Sequence, residues 1–125
     1  MVIWGSNAQG QRNVPEGLSG VVAVAAAGNH TLALKRDGTV ASWGTFGLAQ
    51  CNVPEDLSGV VAIATGEFHG LALKRNGTVV SWGFNTAGQC NVPSGLRNVV
   101  AVAARGNHST VLVNERLRSR SFFQR

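Results

Sequence analysis

The sequence predicts an all-β chain of repeated antiparallel meanders, and three observations predict it. Anchors recur every 39 residues: Trp4, Trp43 and Trp82; Pro15, Pro54 and Pro93; His30, His69 and His108. Between them, short runs of Val, Ala and Leu with a period of two surround Asp37-Gly38 and Asn76-Gly77, a strong short-range hairpin signal. Small residues (Ala25-Ala26-Ala27, Ala64-Thr65-Gly66) close the first strand of each unit. Gly20–Gly44 and Gly59–Gly83 match without an insertion, and Asn-Val-Pro links the units at 13–15, 52–54 and 91–93. Internal periodicity of this length marks stacked repeats.

Each unit is justified in order. Val21–Ala26 is a run of Val and Ala suited to a strand covered on both faces. His30–Lys35 places Leu32 and Leu34 on one face. Asp37-Gly38 and Asn76-Gly77 are expected as two-residue turns with φ > 0 at both positions. Thr39–Trp43 and Thr78–Trp82 are the return strands, and Val-Pro ends or edges a fourth, irregular strand, because proline donates nothing to a ladder. No window carries a capped helical stripe. Units of three or four strands and about 40 residues are the dimensions of β-propeller blades. Small residues on the first strand suit a crowded central channel. The tryptophans suit wide apolar plates between blades, each N–H needing a partner when buried.

The 125 residues fit one repeat domain over 1–113 and a tail over 114–125 outside the repeat. Composition is 44% hydrophobic and 14% charged, which excludes disorder; 16 glycines without a G-X-Y period exclude collagen. No apolar run reaches the roughly 18 residues of a spanning helix, so no membrane contact is expected. Met1–Gly5 lacks the basic and apolar regions of a signal peptide, so the chain reads as cytoplasmic. Net charge is +5, but Arg116, Arg118, Arg120 and Arg125 lie in the tail, so the body is weakly basic.

The pattern from Gly28 and His30 to Gly44, G-x-x-H-x-[LTG]-A-L-K-x-[DN]-G-T-V-x-x-W-G, resembles the regulator of chromosome condensation repeat family. So does the following G-x-x-x-x-G-Q segment, seen at Gly5–Gln11 and Gly83–Gln89. The resemblance covers residues 1 to about 113. The compact length and Asn-Val-Pro linker look most like bacterial members such as the β-lactamase inhibitory propeller. The resemblance implies β-propeller blades, usually seven to a ring. It implies functions that diverge within the family: nucleotide exchange on a small GTPase, chromatin binding, light sensing and enzyme inhibition.

The third unit begins normally at Val99–Ala104 and His108–Leu112, but Asn114–Arg120 carries no [DN]-G-T turn and no tryptophan follows. Val2-Ile3-Trp4-Gly5 reads as a return strand with no blade before it. Three blades are too few for a ring. The expectation is a homodimer closed to six blades by strand exchange, with Val2, Ile3 and Trp4 of one copy meeting Val111 and Leu112 of the other.

No catalytic, cofactor or metal site is expected. Each histidine is expected as a strand-start residue bonded to a neighbouring turn, because ligands must converge to about 2 Å from one ion. Cys51 and Cys90 are one repeat apart, too far for a disulfide, and are expected as partly buried thiols. Glu16, Asp37 and Glu55 occupy turn and linker positions, and no G-K-[ST] accompanies the glycines. What varies between repeats is the loops, where Phe46, Phe68, Phe84 and Arg105 are candidate partner-binding anchors, with packing between blades the alternative role for the phenylalanines. The functional expectation is a non-enzymatic protein-binding, self-assembling module. The alternatives are a nucleic-acid, chromatin or GTPase-exchange module and an enzyme-inhibitory propeller.

Overall fold

The structure is a computed structural model that describes residues 1–2, 4, 14–27, 30–44, 53–83, 88 and 90–114. Among these residues eight strands form three antiparallel sheets. The first is β1 (Val21–Ala27), β2 (His30–Lys35) and β3 (Val40–Gly44); the second is β4 (Val60–Thr65), β5 (His69–Lys74) and β6 (Val79–Gly83). The third pairs β7 (Val99–Arg105) with β8 (His108–Val113). Each sheet is a meander in sequence order, as the 39-residue period requires. Among the described residues no helix is long and apolar enough to cross a membrane.

The sheets stack as blades. β1 packs on β4 and β4 on β7, while β3 and β6 make no comparable contact, so the first strands converge and the third strands splay. This wedge arrangement explains the small residues on the first strands. A Cβ added at Gly66 would lie 2.1 Å from the His69 ring and 2.8 Å from the Gly106 carbonyl oxygen of the next blade. Each first strand also carries a bulge at the same place, where the register slips between Val21 and Ala23, Val60 and Ala62, and Val99 and Ala101.

One local expectation needs correction. The turns contain three residues, not two. Gly38 N–H donates to the Lys35 carbonyl at 2.9 Å and Lys35 N–H to the Thr39 carbonyl at 2.9 Å. Of the turn pair, only the glycine is left-handed: φ is +84° at Gly38 and +83° at Gly77. Asp37 and Asn76 keep negative φ because their side chains are occupied, accepting from the N–H and hydroxyl of Thr39 and Thr78. The segments leading into Val-Pro, where a fourth strand is expected, lie outside the described residues at 45–52, 84–87 and 89. Val53-Pro54 and Val92-Pro93 run as loop, each proline carbonyl accepting from an N–H three residues on, Leu57 and Leu96.

The blades are stitched through these turns. Val60 N–H donates to the Gly38 carbonyl and Val99 N–H to the Gly77 carbonyl, both at 3.0 Å. The core is the seam between the first two blades. Leu32, Leu34, Leu57, Val60, Ala72 and Trp82 are buried together, with Ala23, Ala25, Val40, Val53, Ile63 and Val80 packed against them.

Candidate interaction surface

The repeat offers the same side of each blade to the blade that follows. On the first two blades that side is covered: Leu32 and Leu71 are 0% and 1% exposed, and His30 and His69 are buried. On the third it is open. Ala101, Ala103, Arg105, His108, Thr110 and Leu112 are all exposed, Leu112 at 58%. Sequence also changes there, with Thr110 standing where Leu32 and Leu71 stand, and Arg105 where Ala27 and Gly66 stand. At the other end, Val22 and Val24 of β1 are exposed, whereas Ile63, the counterpart of Val24, packs into the core. Among the described residues, β8 has no strand on its outer edge.

The two seams differ inside as well. In the first, the Trp82 indole lies across Gly70, where an added Cβ would come within 2.4 Å of the ring. Its Nε1–H, expected to find a partner, meets none among the described residues; the apolar packing outweighs that bond. In the second seam the corresponding walls enclose a cavity of about 280 Å³. Leu71 and Val79 of the second blade, Val92, Pro93 and Leu96 of the linker, and Ser109 and Val111 of the third blade line it.

His30 and His69 bond across the seams, to hydroxyls of the next blade rather than to a neighbouring turn. His30 Nε2 is bonded to Thr65 Oγ1, and His69 Nε2 lies 2.9 Å from Ser109 Oγ. The Thr65 hydroxyl has its proton directed at the Gly66 or His69 carbonyl, at 2.9 and 3.0 Å, so it accepts from His30. That places the His30 proton on Nε2 and leaves Nδ1 buried with no partner among the described residues. Burial holds the His30 pKa down at about 4, and also lowers that of His69. Both are neutral struts at neutral pH.

The remaining expected residues fall as follows. Phe68 is half-buried and Arg105 is exposed at the end of β7, on neighbouring blade ends joined by Glu67 N–H donating to the Gly106 carbonyl at 3.1 Å. Phe46 and Phe84 lie outside the described residues, as do Ile3, Cys51 and the tail from 115. Cys90 is a half-buried thiol. Val2 and Trp4 are 83% and 82% exposed, and with Met1 they border a shallow concavity beside Val24, Ala26 and Thr31 of their own first blade. Val111 is half-buried against the seam cavity. Among the described residues no three His, Cys, Asp or Glu converge on a point, and Glu16, Asp37, Glu55, Asp56 and Glu67 are all exposed. The seam cavity is the feature that residue-by-residue reading missed. Its signal was the missing third-repeat tryptophan.

The family model for the regulator of chromosome condensation (RCC1) repeat matches residues 21–48 and 60–89. No curated protein matches the sequence. Among solved structures, Prp20p from Saccharomyces cerevisiae superposes with a TM-score of 0.71 at 18% identity, over 97% of this chain and 42% of that one. The ectodomain of the receptor kinase CR4 from Physcomitrella patens gives 0.73 at 26% identity, over 89% and 32%. Yeast RCC1 (Prp20) bound to Kap60 gives 0.69 at 26% identity, over 90% and 37%. This chain therefore spans less than half of each of these three solved chains.

Proposed function

Because this chain belongs to the regulator of chromosome condensation repeat family, we propose that it is a non-enzymatic, protein-binding propeller module whose first partner is a second copy of itself. The observation that carries this reading is the open side of the third blade, where Arg105, His108, Thr110 and Leu112 are exposed, together with the exposed Val24 of the first blade. Exposed apolar blade faces favour association over isolation. The structural relatives support binding as the role: Prp20p was studied for binding to Gsp1p and histones, and yeast RCC1 was solved with Kap60. Among the described residues the two buried histidines are bonded to hydroxyls and the carboxylates face solvent, in keeping with a binding role.

Light scattering of the purified chain tests self-association. The expected mass is twice the 13.1 kDa of one chain, and a mass of one chain across the micromolar range overturns the reading. Pull-down at low and high salt then separates the classes of further partner. Retention of protein at high salt fits this module, whereas binding of nucleic acid that collapses with salt favours the alternative.

A further inference from the structure

We infer that Asn76 is a modification site, where spontaneous deamidation through Gly77 yields an isoaspartate that unfastens one end of the third blade. This goes beyond the binding role and does not depend on it. Of the ten asparagines in the sequence, Asn76 alone precedes a glycine; Asn13, Asn52, Asn91 and Asn98 precede valine. In the reaction the Gly77 backbone nitrogen attacks the Asn76 side-chain carbonyl carbon. A new N–C bond closes a five-membered succinimide, and the side-chain nitrogen leaves as ammonia, carrying the proton that the attacking nitrogen gives up. Water then opens the ring. Opening at the side-chain carbonyl gives aspartate. Opening at the main-chain carbonyl gives isoaspartate, in which the backbone runs through the side-chain carbons. Water is the only co-reactant.

The turn presents the reacting groups. Asn76 is exposed, and Gly77 has no Cβ to shield its nitrogen. The Thr78 N–H and hydroxyl both donate to Asn76 Oδ1, at 3.1 and 2.6 Å. They polarise the carbonyl under attack and favour the oxyanion that forms on it. Against this, the Gly77 N–H donates to the Lys74 carbonyl at 2.9 Å, a bond that must open before the nitrogen loses its proton. Activation and restraint are both ordinary hydrogen bonds and offset one another. Asp37-Gly38 does not compete, because Asp37 accepts the same bonds from Thr39 as a carboxylate, a poor electrophile. The two products differ in what they do to the fold. Aspartate at 76 reproduces the first turn. Isoaspartate adds a backbone atom just before Gly77, whose carbonyl accepts from Val99 N–H at 3.0 Å and whose added Cβ would lie 3.2 Å from Asn98 N. The longer backbone displaces that carbonyl and breaks the stitch. The Glu67–Gly106 and His69–Ser109 bonds, at the other end of the same seam, stay in place.

The test incubates the full chain in mildly alkaline buffer beside a free Lys-Arg-Asn-Gly-Thr-Val peptide, which serves as the clock. Peptide mapping by mass spectrometry locates the conversion, and isoaspartate-specific enzymatic methylation measures that product. Asn76 is expected to convert before every other asparagine and within about tenfold of the peptide's time, since one hydrogen bond restrains it. Hydrogen exchange then reads the consequence. A fraction of the Val99 amide equal to the isoaspartate fraction should exchange faster, with the Glu67 amide unchanged. Freshly prepared Asn76→Asp should keep Val99 as protected as the wild type. Asn76→Gln, whose closure would need a six-membered ring, should show neither conversion nor loss of Val99 protection over the same time. An Asn76 that is intact after about ten half-lives of the peptide overturns the site. Isoaspartate chains in which Val99 exchanges as before, or an Asn76→Asp chain in which it exchanges faster, overturn the unfastening. Neither result bears on self-association, which light scattering of the unconverted chain decides by itself.

Discussion

The two seams of this molecule are made from the same positions and hold different contents. Both are stitched by a turn carbonyl accepting from the first strand of the next blade at 3.0 Å, and both carry a histidine bonded to a hydroxyl across the gap. Only the first contains an indole. The backbone of the repeat therefore sets the blade-to-blade register by itself, and the tryptophan fills the wedge that this register leaves. A blade that keeps the stitches and lacks the plate keeps its place and acquires a cavity. The difference separates what positions a blade from what stabilises it.

The largest effect comes from making the first seam resemble the second. Trp82→Ala removes the plate from among Leu32, Leu57 and Ala72. It is expected to lower unfolding stability by about 3–5 kcal/mol, read from denaturant midpoints. The fold itself should persist, with strand content by circular dichroism unchanged below the transition. Collapse of the sheet signal in native buffer would show that the stitches alone do not hold the blades.

Acid acts on both seams at once. The His30 pKa in the folded chain, about 4, lies below its value of 6.5 in the unfolded chain. The unfolded state therefore binds the proton first, and the stability present above pH 6.5 is lost as pH falls towards 4. His30 alone accounts for at most about 3 kcal/mol of that loss, and His69 shifts in the same direction. Thermal melts from pH 7.5 to 4.5 should fall steadily, and His30→Gln should flatten the slope. Melting temperatures that do not change over that range would mean that water reaches both rings.

The sequence was most legible where structure is local. The bounds of β2 and β5, the place of each turn and the placement of small residues on the first strands follow from period and composition. The turn geometry was misread because Asn-Gly and Asp-Gly serve two hairpin types, and the choice depends on the Thr39 and Thr78 groups that the side chains cap. The histidine partners were misassigned for a different reason. Thr65 and Ser109 occupy different repeat positions, so the inter-blade geometry that brings each to a ring leaves no periodic trace. The candidate site was legible only as an absence: the missing third tryptophan was visible, but the cavity it leaves depends on the linker residues Val92, Pro93 and Leu96 closing the wall.

If the stitches are equal, damaging either should cost the same. Gly38 and Gly77 combine left-handed φ with close approach, an added Cβ lying 3.1 Å from Gly59 N and 3.2 Å from Asn98 N. Alanine at either should destabilise by about 2 kcal/mol, with the two values within about 0.5 kcal/mol of each other. Gly59→Ala isolates the backbone part, since φ is +68° and nothing lies within 4 Å of the added carbon; about 1 kcal/mol is expected there. A Gly77→Ala cost well below that of Gly38→Ala would show that the empty seam relaxes around the new methyl group.

The smallest effect lies one residue earlier in the same turn. Asn76 Oδ1 accepts from the Thr78 N–H at 3.1 Å and from its hydroxyl at 2.6 Å, in an exposed loop. Asn76→Ala removes both bonds, but water replaces them, so only about 0.5–1 kcal/mol should be lost. Asn76→Asp should restore most of it, because the first turn uses Asp37 in the same role toward Thr39. The Thr39 bonds hold the Asp37 carboxyl below the usual carboxylate range, so that carboxylate persists to lower pH than an unbonded one. Native-state hydrogen exchange at the Thr78 amide is the sensitive measurement. Exchange should accelerate in Asn76→Ala with the Val99 amide unaffected, since Val99 is stitched to the Gly77 carbonyl and not to the side chain. Parallel acceleration at both amides would mean that the cap and the stitch open together, and that the side chain at 76 helps to hold the blade as well as to shape its turn.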